Sequence, residues 1–483
     1  MYCARFTKLN ISTITLTNQT KFLDFLFKVN TIKNIKNMFQ IGSLNNLILK
    51  KSFLKDVLVL FIILIFTSCC LFFEVYLNAI FLKYTYLFVL FFCLIQLVRN
   101  SLKSKVLFIL LSYMLLYFIK LKSYLFNDVI IFNPNSFDDI RFTYRTIFLY
   151  ELFFFILFFF IRIEHFRFFS ERLKLYPNRH IFLALIVLSL LITFFVKNGS
   201  YLFLSNSDIA YGENKIKTSG LIEYTIFIFF VAFIFKPKGY LFNIIFYFAI
   251  VYYSLKNLLL GGRIEVLQLG ILLFILVFEI KSKWKVLLTF LIFGYYIMSI
   301  YENVRLNPIK LATSSFTETL LIPFEANKGE SFISNEGEVF SSTNRLVSMS
   351  DKSILSIETR AFSFLAFLAS VILPYDILPN YAVLDTYLQN TYISYGGGMI
   401  LGYMYVWFGI ISIIFVPYFI GVFVKYLGEA SSQYTLFYGV LFLTTMPRWF
   451  AYNPIVLIKA NLFGFLLYVI CIAIHIKMYK KKH

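Results

Sequence analysis

Histidine, cysteine and charge are all scarce in this chain, and each scarcity removes a class of function. Only four histidines, His165, His180, His475 and His483, occur in 483 residues, and none falls in the one long polar stretch at 302–398. The five cysteines, Cys3, Cys69, Cys70, Cys93 and Cys471, lie in the N-terminal segment or inside apolar runs. That spacing indicates neither a disulfide framework nor a Cys-x-x-Cys metal site, so no metal ligands are assigned. Charged residues make up 14% of the chain, against about 25% in an ordinary soluble domain. Walker loops, His-Glu-x-x-His zinc helices, dinucleotide-binding glycine turns and serine or cysteine nucleophile motifs are missing too. Gly396, Gly397 and Gly398 have no basic or hydroxyl partner at phosphate-loop spacing and read as a hinge. A nucleotide-dependent soluble enzyme is excluded, and no cofactor is expected.

What the chain has instead is apolar bulk: 60% of its residues are hydrophobic, 62 of them Phe and 34 Tyr. Apolar runs of roughly 17 to 25 residues, the length that crosses a ~30 Å hydrocarbon layer as a helix, recur from Lys55 onward. The fold class is therefore an all-α polytopic membrane protein with about 12 transmembrane helices and one large extracytoplasmic loop. The spans are expected near 56–76, 80–98, 105–120, 146–162, 181–197, 220–235, 240–256, 264–280, 286–301, 399–424, 434–447 and 455–476. Residues 1–54 lack the apolar core and cleavage site of a signal peptide. They read either as a cytoplasmic lead-in or as sequence ahead of an initiator at Met38. No internal repeat is visible, which weakens the case for a secondary transporter.

The net charge of +20 does not point to nucleic acid, because Lys and Arg fall in short runs between apolar segments. Lys50, Lys51 and Lys55 precede the first span, Arg99, Lys103 and Lys105 follow the second, and Arg162, Arg167, Arg172, Lys174 and Arg179 follow the fourth. The chain closes on a basic tail at 477–483. Basic exits from every even-numbered span place both termini in the cytoplasm. Spans one to nine then occupy 55–301, spans ten to twelve occupy 399–476, and the connection at 302–398 faces outward. That connection is the net acidic region of a basic protein. It holds Glu302, Glu318, Glu325, Glu330, Glu336, Glu338, Glu358, Asp351, Asp376 and Asp385 against Arg305, Arg345, Arg360 and three lysines. Within it 361–373 is apolar but too short to span, and reads as a membrane-surface or re-entrant helix ended by Pro374.

Few residues suit chemistry on an anionic substrate. Arg263, in LLLGGRIEVLQLG, sits at the outer edge of the eighth span. There a guanidinium and a helix N-terminus can together grip phosphate oxygens; the competing reading is a helix anchor. Glu265 lies two residues on. Arg448, in TTMPRWFAYNPIVLIK, and Lys459 one turn inside the last span suit a lipid-linked anion as well as they suit snorkelling to headgroups. In the run NEGEVFSSTNR, Glu336 and Glu338 are candidate general bases for a sugar hydroxyl, against the alternative of a solvated acidic face. Arg345 and Arg360 are candidate phosphate contacts, and Tyr381, Tyr387, Tyr392 and Tyr395 can stack on sugar rings.

With about a dozen spans, one large outward loop, the span entry GGRIEVLQLG, the segment GGGMILGYMYVWFGIISII after the loop and PRWFAYNP beyond it, the chain resembles the bacterial O-antigen and capsule repeat-unit polymerases. The resemblance covers the architecture of 55–476. It implies a metal-independent glycosyltransferase of the inner membrane, moving a growing glycan from one undecaprenyl diphosphate carrier onto the next lipid-linked repeat unit. Its partners would be the undecaprenyl-diphosphate-linked glycan, the lipid bilayer and, as an optional one, a chain-length regulator. A lipid-linked oligosaccharide flippase is the alternative outside this class. An O-antigen ligase resembles the same architecture, but that family relies on a histidine in its large loop, and 302–398 has none.

Overall fold

In hydrocarbon each backbone N–H and C=O must be paired within its own segment, so uninterrupted apolar sequence becomes helix. The computed structural model describes residues 51–126, 140–163, 166–195, 221–259, 263–289, 291–294, 335–373, 377–379, 383–384, 387–388, 397–451 and 453–480. All regular elements among them are helical. The chain divides into two compact units, Met1–Ile65 and Phe66–His483, and helix α1, Lys51–Phe72, runs across that division.

In the second unit α2 is Ala79–Ser101, α3 is Lys105–Ile119 and α4 is the short turn of helix Lys122–Phe126. Next come α5, Ile140–Phe160, α6, Phe169–Arg172, and α7, Arg179–Phe195. They are followed by α8, Leu221–Phe235, and α9, Tyr240–Leu259. Helix α10, Arg263–Leu273, continues as a π-helical turn over Phe274–Phe278. The former loop region supplies α11, Asn335–Asp351, and α12, Ile357–Ser370. The C-terminal part holds α13, Ile400–Phe408, α14, Ile410–Glu429, α15, Gln433–Ala451, and α16, Ile455–Lys480. Several helices start on a side-chain cap: Asn78 Oδ1 accepts from Ile80 N at 2.9 Å, Ser104 Oγ from Leu107 N at 3.3 Å and Ser356 Oγ from Thr359 N at 3.2 Å.

Among the described residues seven helices are long and apolar enough to cross a membrane: Leu54–Phe72, Ala79–Ser101, Lys105–Phe126, Ile140–Phe160, Tyr240–Leu258, Ile410–Glu429 and Ile455–Tyr479. Shorter apolar helices cover Arg179–Phe195, Leu221–Phe235, Ile264–Phe278 and Trp284–Gly294. Their surfaces are turned inside out relative to a soluble protein. Helix α2 buries Leu82, Tyr86, Val89 and Cys93 but exposes Phe88, Phe91 and Ile95, and only a lipid environment tolerates such a continuous apolar face. This is a helical, multi-pass membrane protein. Aromatic rings hold its interior: Phe437 stacks on Phe230 with centroids 4.4 Å apart and on Tyr468 at 4.1 Å, clamping α8, α15 and α16 together.

The bundle has two distinct ends. At one, Asn100 Nδ2 donates to Ile161 O, Lys105 Nζ to Ser282 O and Gln433 Nε2 to Arg172 O, joining connections that lead from one helix into the next. At the other, Tyr253 Oη donates to Ile222 O, Lys256 Nζ to Phe194 O and Lys459 Nζ to Leu373 O. Helices α11 and α12 sit at this second end, where Tyr124 meets Phe340 at 4.5 Å.

Two spans differ from their expected limits for physical reasons. The fourth starts at Ile140 rather than 146, because Arg141 and Arg145 find carboxylate partners that let the helix continue outward through them. The tenth is broken at Gly409, whose φ of +63° and ψ of −149° suit glycine alone, leaving a nine-residue α13 ahead of α14. Helix α13 lies against α11 through Gly402, where an added Cβ would stand 3.0 Å from Leu346 Cδ1 and 3.1 Å from Thr343 Cγ2.

Gly402→Leu is accordingly expected to overpack this contact and cost about 1–3 kcal/mol, read as a lower melting temperature of the detergent-solubilised protein. Gly270→Leu, on α10 where a Cβ meets nothing within 4 Å, is the matched control. Equal melting of the two variants would show that α13 and α11 are not in close contact.

Candidate functional site

Helix α11 reads NEGEVFSSTNRLVSMSD, with no sustained apolar run, yet Ser342, Thr343, Asn344, Ser348 and Ser350 are all buried. A hydrophilic helix can occupy such a place only if its polar groups find partners there. It packs against α3, α5 and α13, and α5 supplies most of those partners. Thr143, Thr146 and Tyr150 share one face of α5 at i, i+3 and i+7 spacing. Thr146 Oγ1 donates to Asn344 Oδ1 at 2.8 Å, Asn344 Nδ2 donates to Thr143 Oγ1 at 3.2 Å, and Tyr150 Oη donates to Thr343 Oγ1 at 3.2 Å. Thr343 Oγ1 also accepts from Met399 N at 2.8 Å and donates to Val339 O at 2.7 Å, which ties the start of α13 to the same point.

The last residue of α11 closes a charged ring. Asp351 Oδ2 lies 3.0 Å from Arg145 Nε, Tyr405 Oη donates to Asp351 Oδ1 at 2.9 Å, and Arg145 Nη2 donates to Tyr405 Oη at 2.8 Å. Three helices, α5, α11 and α13, each contribute one member. Burial raises the Asp351 carboxyl above the ordinary aspartate value, opposed by the Arg145 guanidinium and by the Tyr405 hydroxyl. The Arg145 and Asp351 side chains keep 23% and 14% of their surface exposed, so the ring is accessible from outside the packed interior. Beside it Arg141 pairs with Glu74, and Lys352 Nζ stands 4.7 Å from the centre of the Phe142 ring. A guanidinium held next to a carboxylate of raised proton affinity can bind an anion and accept a proton at neighbouring points.

A second charged cluster lies at the same end. Arg448 Nε, near the end of α15, is 2.8 Å from Glu223 Oε1 in the first turn of α8. Glu265, buried in the first turn of α10, is within electrostatic reach of Glu223. Among the described residues no group of three His, Cys, Asp or Glu side chains is placed to hold a metal ion.

Of the residues singled out in the sequence, Glu338 and Arg345 are on α11, both half-buried. Each keeps part of its surface exposed while the residues between them are buried against neighbouring helices. Glu336 is in the first turn of α11 and Arg263 at the start of α10, and their side chains lie outside the described residues. Arg360 is turned back on its own chain: Nε donates to Leu355 O at 3.0 Å and Nη2 to Ser350 O, so part of its donor set closes the C-terminal end of α11. Its charge still reaches Asp351. Arg448 serves the Glu223 pair, and Lys459 Nζ donates to Leu373 O at 3.0 Å, just past α12. Tyr387 packs beside α11 and α13, while Tyr381, Tyr392 and Tyr395 lie outside the described residues. Glu336, Glu338, Arg345 and Arg360 thus share or abut one helix, whereas Arg448 belongs to a separate pair.

Sequence reasoning passed over Arg145, Tyr405, Thr343, Asn344 and Glu223. A signal existed for Arg145: together with Arg141 it is a cation on the side of a span where the positive-inside pattern leaves few. Glu151 was also passed over, a carboxylate at the middle of α5 that is 3% exposed. Ionisable groups at such depth are rare enough to have served as a marker.

Two outcomes test this arrangement. The folded-state pKa of Asp351 lies above its ordinary value of 3.8, so the group's stability contribution is lost as pH rises through the folded value and is fully present below 3.8. On acidification from neutral pH the wild type should therefore gain melting temperature relative to Asp351→Asn, whose profile lacks that increment; parallel profiles would refute a buried Asp351. For the second cluster, Glu223→Gln and Arg448→Met in a double-mutant cycle should show a coupling of about 1 kcal/mol or more, with Arg448→Met the costlier single change because it strands a buried carboxylate. Strict additivity would mean the pair is not formed.

The chain matches no protein-family model, no curated protein and no solved structure, which leaves the residues and their geometry to carry a functional assignment.

Proposed function

We propose that the chain is an integral-membrane glycosyltransferase that polymerises oligosaccharide repeat units, of O-antigen or capsule, carried on undecaprenyl diphosphate. The observation that supports this best is the hydrophilic helix α11, buried by apolar helices and joined through Asp351 to Arg145 and Tyr405. A substrate with a sugar hydroxyl, a diphosphate and a long lipid tail needs a proton acceptor and fixed cations bordering an apolar surface. In the reaction the acceptor hydroxyl gives its proton to a carboxylate as its oxygen attacks the anomeric carbon of the donor. The bond from that carbon to the diphosphate breaks, and the lipid diphosphate leaves with the electron pair. Asp351 is the proposed base, with Glu338 and Glu336 on the same helix as alternatives. Arg145, Arg345 and Arg360 around α11, and Arg263, Arg448 and Lys459 at the neighbouring helix ends, are the cations proposed to stabilise the departing diphosphate. The donor brings its own leaving group, so no nucleotide is required.

On this reading the seven long helices, the four shorter apolar ones and α15 make twelve spans of the bacterial inner membrane. Both termini are cytoplasmic, and the connection at 302–398 lies on the outer face, with α12 at the membrane surface. A flippase is the second reading. The carboxylate of Glu151 buried inside α5 and the break at Gly409 favour it, since transporters use intramembrane charge and interrupted helices.

Reconstitution into proteoliposomes with a purified lipid-diphosphate repeat unit separates the two. The expected product is a ladder of polymer formed without nucleotide; transbilayer movement with no polymer would replace the polymerase reading by the flippase. Arg145→Ala is expected to slow polymerisation about 10²–10³-fold, and Arg263→Ala to leave single repeat units on the cell surface with no long chains. Persistence of long chains in both variants would remove these arginines from the diphosphate site.

A further inference from the structure

At the end of the bundle opposite α11 a cavity of about 400 Å³ opens between α6, α8, α9 and the π-helical turn that continues α10. Its volume falls within the range of roughly 300–1,000 Å³ typical of small-ligand sites. Phe233, Leu276 and Val277 give it an apolar wall, while Lys236, Asn243 and Lys281 add polar groups to its lining. The π-helical turn is itself a feature that recurs at functional sites, because the extra residue per turn displaces the side chains that follow.

Lys236 is fixed rather than trailing in solvent. Its Nζ donates to Asn243 Oδ1 at 2.6 Å and stands over the rings of Phe233 and Phe246, each at 5.4 Å, and of Tyr247 at 5.8 Å. An ammonium has three donors, and among the described residues Asn243 is the one acceptor Lys236 meets. Burial pulls its proton affinity below the ordinary lysine value, with no carboxylate offsetting the effect. Ser170, also lining the cavity, buries a hydroxyl that has no hydrogen-bond partner among the described residues. No carboxylate is among the described lining residues. Two acids adjoin the lining in sequence: Glu279 is fully buried within reach of the Arg172 and Lys105 charges, and Glu171, next to Ser170, is exposed.

Two cations beside an apolar wall, at the end of a membrane-spanning bundle, define the ligand by its chemistry. We infer that this cavity binds the phosphate headgroup of an anionic phospholipid, with Lys236 and Lys281 contacting the phosphate and Phe233, Leu276 and Val277 the first methylenes of the acyl chains. A zwitterionic lipid carries the same phosphate but brings a cation toward two lysines. The inference requires only that the bundle is embedded in a membrane, and is independent of the proposed glycosyl transfer.

The test uses the full-length protein in detergent, titrated with phosphatidylglycerol or phosphatidylcholine, with the lipid-bound fraction read by native mass spectrometry. Phosphatidylglycerol should be retained in preference, and Lys236→Gln and Lys281→Gln should each weaken it about fivefold. Lys238→Gln, an exposed lysine at the same end that does not line the cavity, should leave the titration unchanged. Val277→Trp, which fills the apolar wall while keeping both lysines, should also weaken binding and so separates a cavity from a merely basic surface. Equal retention of the two lipids, or unchanged titrations for both lysine variants, would overturn the site. Displacement of the lipid by millimolar inorganic phosphate would assign the cavity to a soluble phosphate and overturn the lipid assignment.

Discussion

The second unit of the chain is governed by one requirement: the polar groups of a seventeen-residue hydrophilic helix must be satisfied away from bulk water. The Thr343 hydroxyl is the centre of that solution, accepting from Tyr150 and Met399 and donating to Val339. Other features of this end follow from it. The outer third of α5 is polar because Thr143, Thr146 and Tyr150 must face α11. The start of α13 carries glycines at 398 and 402 because the backbone of α11 comes too near for a side chain. A side chain there would separate the backbones that the hydrogen bond from Met399 holds together, so close packing and polar satisfaction depend on each other.

Charge placement at this end follows a related logic. Arg145 and Asp351 are neutral as a pair, so the apolar surroundings carry little net charge, and Tyr405 supplies an oriented dipole to both. An incoming anion would compete with Asp351 for the guanidinium and release that carboxylate to take up a proton. Binding of a diphosphate and deprotonation of a hydroxyl are thereby coupled in the proposed reaction. Such a pair contributes little to net stability compared with apolar packing of the same volume; with Tyr405 it joins three helices at one point.

The helical membrane character of the chain was legible in its apolar runs, and most helix limits fell near the expected positions because hydrophobic length dictates them. Charge made the rest harder to read. Reading Arg145 as lying outside a span is correct on transfer energy alone, and fails because Asp351, more than two hundred residues away, compensates it. The run NEGEVFSSTNRLVSMSD has the composition of a surface segment, and its burial depends on partners on α5 that no local pattern reveals. Glu338 and Arg345 were legible as polar residues of interest, whereas Tyr405 was one of 34 tyrosines and carried no signal of its own. The break at Gly409 lay inside an unbroken apolar run, where periodicity has nothing to report.

The bundle holds its cations in two ways, on carboxylates and on backbone carbonyls, and the contrast bears on what each can recognise. At the α11 end three arginines are matched by carboxylates, Arg141 with Glu74, Arg145 with Asp351 and Arg448 with Glu223, while Arg360, Lys256 and Lys459 donate to backbone carbonyls. At the other end Lys105 and Arg172 bind backbone carbonyls, Lys236 binds an amide oxygen, and the carboxylate in the interior is Glu279. Carbonyl and amide oxygens orient a cation without cancelling its charge, so the cations held this way keep their positive field at either end. A positive field at one membrane face orients the bundle and attracts the anionic lipids of the adjoining leaflet. Matched pairs do neither, and their charge would become available only if another anion displaced one partner. Among the described residues the arginine–carboxylate pairs lie at the α11 end, so it is there that an incoming anion would exchange with a carboxylate.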